Sequence, residues 1–443
     1  MHQWRRTNAP PASSRTDDIW FLDAERGWAV NSNGHILHTT DGGDTWTRQL
    51  SAGGAAYLRC VAFATEQRGW VGVIREPKRR LFETSDGGAT WTVVPSLDGL
   101  AGAPVAVCGL SVVDEHVVYA AGTNEPTLAT GVMKTVDGGR TWTAQAMADH
   151  ATLLVDVFFT DADHGWVVGG RKVPGLSHPD PRDNVTPVVL RTEDGGATWR
   201  DLVAGQQLPS GEWGWKIFFV DDEVGYVSLE NMKDGAVLKT VDGGMTWERV
   251  AITDPQRNAN VEGLGFVDRD HGWVGGWGDV DFDGGYTSET SDGGGTWADA
   301  NHVGKYLNRF RFVHEPELVG YASGDTVYKY SAAPVPAEPA QDAPRLMAAE
   351  AAEAAEQPLR TSFPIRIPLS PPQGARAVRV DVWDRFARHV ATVLDEEDGA
   401  ADVSEATWDG RDEDAEGTAA PGYYIFRVTI DDEAESGTLL VEA

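Results

Sequence analysis

The sequence predicts an all-β protein: a seven-bladed β-propeller followed by a small β-sandwich. Three observations carry that expectation. A string of the form Thr-x-Asp-Gly-Gly-x-Thr-Trp recurs six times, with its aspartates at Asp41, Asp86, Asp137, Asp194, Asp242 and Asp292. The spacing averages about 50 residues, a period that suits propeller blades and solenoids. A second string, an apolar strand with an acidic turn and then Gly-aromatic, stands ahead of each copy. Past residue 331 the composition turns to Pro, Ala and Glu before alternating strand patterns return.

Each unit reads as four short strands. The first two flank the acidic turn, as in Phe21-Leu-Asp23 with Gly27-Trp28, Phe63 with Gly69-Trp70, Phe159 with Gly165-Trp166, Phe219 with Gly225-Tyr226 and Phe266 with Gly272-Trp273. Weaker versions stand at Val112 with Tyr119 and at Phe312 with Gly320-Tyr321, which makes seven units. A third strand precedes Asp-Gly-Gly and a fourth begins at Thr-Trp. Four-stranded units arranged in a ring protect their sheet edges. The seventh unit lacks an Asp-Gly-Gly turn after Tyr328-Lys329-Tyr330, and so lacks a fourth strand. The N-terminal Gln3-Trp4-Arg5-Arg6-Thr7 resembles Thr45-Trp46-Thr47-Arg48-Gln49 and is expected to supply it, closing the ring.

The Asp-Gly-Gly turn needs no chemistry to explain it. A carboxylate can accept N–H bonds from its own turn, glycine tolerates the positive φ of such a turn, and Trp is a large anchor against the sheet. The six aspartates are therefore read as structural. The domains expected are a propeller over residues 1–331, a Pro/Ala/Glu linker with a short solvated helical stretch over 332–360, and a sandwich over 361–443. In the last, Val378–Asp384 and Tyr424–Ile430 alternate as strands do.

Composition excludes several functions. The chain has 443 residues with Lys+Arg 37 against Asp+Glu 68, a net charge of −31. Such a chain is not suited to bind nucleic acid or an anionic membrane surface by charge. No run approaches the roughly 18 apolar residues of a membrane span. Cys60 and Cys108 make neither a disulfide framework nor a zinc spacing, and both read as small buried apolar residues. No apolar signal segment follows Met1-His2-Gln3.

The Asp-Gly-Gly-x-Thr-Trp turn resembles the Asp-box, or BNR repeat, of sialidases, some glucan hydrolases and sortilin-type receptors. Joined to the Phe-x-Asp…Gly-Trp string, it resembles the photosystem II assembly and stability factor family over about residues 3–331. That resemblance implies a seven-bladed propeller that binds a protein, is not an enzyme and acts outside the cytoplasm as an assembly or scaffold factor. A monomer with a protein partner is expected. In the C-terminal region, Thr407-Trp408-Asp409-Gly410-Arg411-Asp412 and Pro421-Gly422-Tyr423-Tyr424 resemble the Ig-like domain of flagellar hook-capping proteins. This second resemblance also implies export. The rival function is a glycan-binding or sialidase/glucanase-like propeller. Arg366-Ile367-Pro368 matches a sialidase string but follows the last blade instead of preceding the first Asp box, so it is read as a strand.

Two clusters stand out as candidate sites. Asp279, Asp281 and Asp283, before Gly284, match the opening of a calcium loop, with Glu289 one residue off the twelfth position. Arg75, Lys78, Arg79 and Arg80 form the densest basic cluster, between the second and third strands of unit two. The equivalent connection of unit four, Arg171 to Val188, is the longest, and begins with Arg171 and Lys172. Because strand direction alternates, both loops are expected on the face opposite the Asp-Gly-Gly turns, where they would contact the partner.

Overall fold

A computed structural model describes residues 2–332 except 13, 54–55, 75–76, 232, 257 and 279–283. Beyond that it describes 359–361, 364–369, 371, 375–384, 389–396, 403–411, 422–431 and 433–441. The chain divides into two compact units, one holding Arg15–Ala332 and the other Ala333–Ala443.

The first unit is a ring of seven four-stranded antiparallel sheets. Blade one runs Thr16–Phe21, Gly27–Asn31, His35–Thr39 and Thr47–Ser51, and the next five blades repeat that order. Blade seven takes Arg309–Val313, Val319–Ser323 and Val327–Ser331 from the end of the ring and Gln3–Arg6 from its beginning, with Trp4 opposite Tyr330. Trp4 is buried, edge-on to Trp273 and Phe310 at 5.4 and 5.5 Å. One indole thereby joins blades six and seven and locks the two chain ends together.

Aromatic residues of the repeat form the seams between blades. The phenylalanine ending a first strand stacks on the aromatic residue of the preceding blade: Phe21 on Tyr321 at 3.5 Å, Phe63 on Trp28 at 3.6 Å, Phe159 on Tyr119 at 3.4 Å and Phe266 on Tyr226 at 4.0 Å. In five of the six turns the tryptophan then meets that phenylalanine edge-on: Trp46, Trp91, Trp199, Trp247 and Trp297. Burial of such rings is the main apolar gain of the fold. Tyr119, Tyr226 and Tyr321 also donate to carbonyls in the turns of the next blade, Ala162, Gly293 and Ala24. Blade three has Val112 where other blades have phenylalanine. There Arg68 of blade two crosses instead, stacking on Trp70 at 4.8 Å and donating to the Gly138 carbonyl at 2.7 Å.

The second unit contains a five-stranded and a two-stranded sheet. Both contribute to one core, with Ile365, Ile367 and Trp408 from the smaller sheet and Val378, Val380 and Val382 from the larger, so the unit is a small β-sandwich. Its first strand, Leu359–Thr361, begins inside the stretch that composition assigns to the linker, because it pairs in parallel with Leu439–Val441. Ile365–Pro368 pairs with Glu405–Trp408 and leaves Arg366 exposed beside Glu405. The Ala348–Glu356 stretch lies outside the described residues.

Candidate functional site

The first strands of the blades line the axis, and a packed network of charges fills the space between them. Arg309 of blade seven reaches across to blade four, donating from both terminal nitrogens to Asp156 at 3.0 and 2.9 Å, and from Nε to Asp18 at 3.0 Å. Arg59 donates to Asp17 at 2.6 Å, and Arg15 bonds Asp17 and Glu262. Trp215 donates to Asn308 at 2.8 Å, and Trp213 to Glu230 at 3.0 Å. Arg182, from the long loop of blade four, is buried over the Trp213 ring and bonds the Asn124 carbonyl.

The local cause is a recurring backbone irregularity. In five blades the pairing of first and second strands skips at one equivalent place, leaving Asp17, Arg59, Val155, Trp215-Lys216 and Glu262 as the extra residues. A bulge re-aims side chains, and here four of the five irregularities carry a charge. Against burial, which pushes it up, the Arg309 guanidinium holds the Asp156 carboxyl below its usual range. Burial and the neighbouring Glu262 push Glu230 up to about 8. Burial and then Arg309 bring the Lys216 ammonium down to about 8.

Sequence reasoning missed this network. Its signal was a single charge inside a largely apolar inner strand, as with Arg59 in Leu58–Phe63 and Glu262 in Ala259–Phe266. Alternation alone would not aim those side chains at the axis.

The connections define two faces. On one lie the turns between first and second strands together with the Asp-Gly-Gly turns, which bond each other, as Gly42 N–H to Glu25 and Gly138 N–H to His116 do. All six Asp-Gly-Gly turns share one geometry. Asp137 accepts from the Thr135 hydroxyl at 2.9 Å and from the Thr141 N–H and hydroxyl at 2.9 and 2.6 Å. Asp41, Asp86, Asp194, Asp242 and Asp292 repeat these bonds. Gly138 and Gly139 take positive φ to make the turn. Hydrogen bonds from the Thr141 hydroxyl, then from its N–H, bring Asp137 down to about 2. His164 and His271 lie against Asp161 and Asp268 in the neighbouring turns at 3.0 Å.

On the opposite face lie the basic loops, largely committed to the fold. Arg79 donates to the Ala52 carbonyl at 3.0 Å and Arg80 to that of Pro104 at 2.6 Å, tying the blade-two loop to its neighbours. Arg171 pairs with Asp201 at 2.7 Å. Lys78 and Lys172 project as exposed ammonium groups, and Arg75 lies outside the described residues. Asp279, Asp281 and Asp283 also lie outside them, and the described residues contain no group of three or more His, Cys, Asp or Glu set to hold a metal. Cys60 and Cys108 are buried free thiols, both pushed up by burial.

Two hollows open on the turn face. One, of about 450 Å³, lies where the inner strands of blades five to seven end, lined by Phe218, Phe219, Phe312, Arg311, Arg269 and His314. The other, of about 730 Å³, follows the seam between blades two and three, lined by Arg68, Glu83, Pro95, His116 and Asp137.

Residues 1–149 match the model of a family described as photosynthesis system II assembly factor YCF48. No curated protein matches. Among solved structures, the chain is similar to YCF48 bound to D1 peptide, with TM-score 0.52 and 18% identity over 75% of this chain and 97% of that one. YCF48 from Cyanidioschyzon merolae gives 0.53 and 19% over 74% and 98%. The WD40 β-propeller domain of Doa1 gives 0.51 and 12% over 75% and 98%. At such identities the structural likeness shows the fold alone. The chain is thus a seven-bladed propeller with a C-terminal sandwich, and the part of it that spans the first three blades matches the photosystem II assembly factor family.

Proposed function

We propose that this chain is a non-enzymatic, protein-binding propeller similar to the photosystem II assembly factors, working outside the cytoplasm as an assembly or scaffold factor. The observation that carries this reading is the family match over residues 1–149. A likeness covering 97% of a YCF48 chain described as bound to D1 peptide supports it. In this reading the partner meets the loop face, where Lys78 and Lys172 are exposed, and the C-terminal sandwich is an Ig-like accessory module.

The test is capture with the intact chain as bait, beside a Lys78→Glu/Lys172→Glu variant. Arg79 and Arg80 are unsuitable for it, since both hold backbone carbonyls. The reading expects one protein retained in fixed ratio by the parent and lost with the double reversal. Equal retention by both would remove the loop face as the contact. Retention of polysaccharide alone, with turnover of a β-glucan or sialoside, would replace the reading with a carbohydrate-active one.

A further inference from the structure

We propose that the hollow over blades five to seven on the turn face is a binding site for a small aromatic carboxylate, its ring held by Phe218, Phe219 and Phe312 and its carboxylate by Arg311 and His314. The volume, about 450 Å³, falls within the range of roughly 300–1,000 Å³ typical of small-molecule sites. The walls follow from the repeat. Trp20, Phe158 and Phe218 each stand one residue before the end of a first strand, opposite the aromatic residue of the second strand. Blade six has Gly265 at that place, opposite Trp273. With no side chain from Gly265, Phe218 of blade five meets Phe312 of blade seven edge-on at 6.4 Å, and both rings line the hollow.

The polar groups select the charge of the ligand. Arg311 donates from Nε to the Ile19 carbonyl at 3.4 Å and lies 4.6 Å over the Trp20 ring. Among the described residues its two terminal nitrogens find no acceptor. Asp18 and Asp156, the carboxylates whose charge reaches it, are bonded to Arg309. The acids of the rim are engaged as well. Asp221 pairs with Arg269, which also bonds Glu223. Asp268 accepts the N–H groups of Asp270 and His271 and lies against the His271 ring. His314 stands exposed at the rim and makes no hydrogen bond among the described residues. The donors left to a ligand are thus guanidinium N–H groups and an imidazole. A carboxylate matches a guanidinium with two parallel bonds. Its single charge is also repelled less by Asp221 and Asp268 than the two of a phosphate monoester. An aromatic body suits walls of phenylalanine, which favour a ring packed on or against them. The site does not depend on the partner reading, which places the protein partner on the opposite face.

The experiment titrates the full chain with naphthoate by isothermal calorimetry, beside the uncharged naphthamide and an Arg311→Met variant. The expected result is one-site saturation with a Kd of about 1 mM or tighter, weakened about tenfold or more when the charge is removed from either side. Crystals of the parent soaked in bromonaphthoate should show an anomalous bromine peak against the Phe218 and Phe312 rings. No saturable binding, equal binding of acid and amide, undiminished binding by Arg311→Met, or a bromine peak only elsewhere would each overturn the site. Should Arg311→Met not fold, the amide and the crystals decide: a preference for the acid with bromine in the hollow establishes the site, and the lack of either removes it.

Discussion

Charge is concentrated in two regions of this propeller, and they stabilise it in opposite ways. In the Asp-Gly-Gly turns each carboxylate is satisfied within five residues, by a threonine on either side and the turn's own N–H groups. In the channel the main ion pairs run across the ring, as those of Arg309 do to Asp18 and Asp156, 291 and 153 residues away. The turns are exposed, so each can form as its own blade forms. The channel is assembled only when blades one, four and seven are all in place. Local satisfaction makes a motif that can be repeated, and long-range satisfaction makes a ring that closes in one arrangement.

The largest effect should come from breaking the long-range side. Arg309→Ala leaves Asp156 and Asp18 buried without their cation, and should cost about 3–5 kcal/mol, read as a lower midpoint in urea denaturation. Trp4→Ala tests ring closure directly. Its indole is buried between blades six and seven, so its loss should cost about 3 kcal/mol or more, with proteolysis beginning at the N-terminal strand. An unchanged midpoint would mean that the closing strand is dispensable.

The comparison is sharpened by pH. Glu230 is raised from 4.5 to about 8, so its contribution is complete below 4.5 and is lost as pH rises toward 8. Lys216 is lowered from 10.5 to about 8, so its contribution is complete above 10.5 and is lost as pH falls toward 8. Together they give a stability minimum near pH 8. Glu230→Gln, which keeps an acceptor for Trp213, should remove its acid-side slope; a Tm profile identical to the parent's would show that Glu230 does not titrate as argued.

The turns should give the smallest effect, at the other end of the scale. Asp137 and Asp194 are lowered from 3.8 to about 2. Their contribution is present above 3.8 and lost as pH falls through about 2. Asp137→Ala should lower Tm by less than either channel or closure substitution, because solvent screens an exposed carboxylate. A drop equal to that of Arg309→Ala would break the distinction between the two regions.

Much of the fold was legible from single residues. The kinship of Trp4 with Trp46 pointed to the closing strand, and the repeat's aromatic position placed Tyr119, Tyr226 and Tyr321 on the second strands of their blades. The candidate contact face was less legible. Arg79, Arg80 and Arg171 look alike as a basic cluster in sequence, but each is engaged by a carbonyl or carboxylate that another part of the chain brings to it. The hollows, too, lie on the turn face and not among the basic loops.

The sequence by itself determined what recurs: the number of blades, the internal bonding of the turns and the aromatic seams. Those interactions join residues close in the chain or at matching places in adjacent repeats, where pattern is a sufficient guide. Only the tertiary structure decided the contents of the axis. A one-residue bulge determines whether Arg59 or Glu262 points inward, and the partner each meets is set by ring closure, which brings together strands hundreds of residues apart.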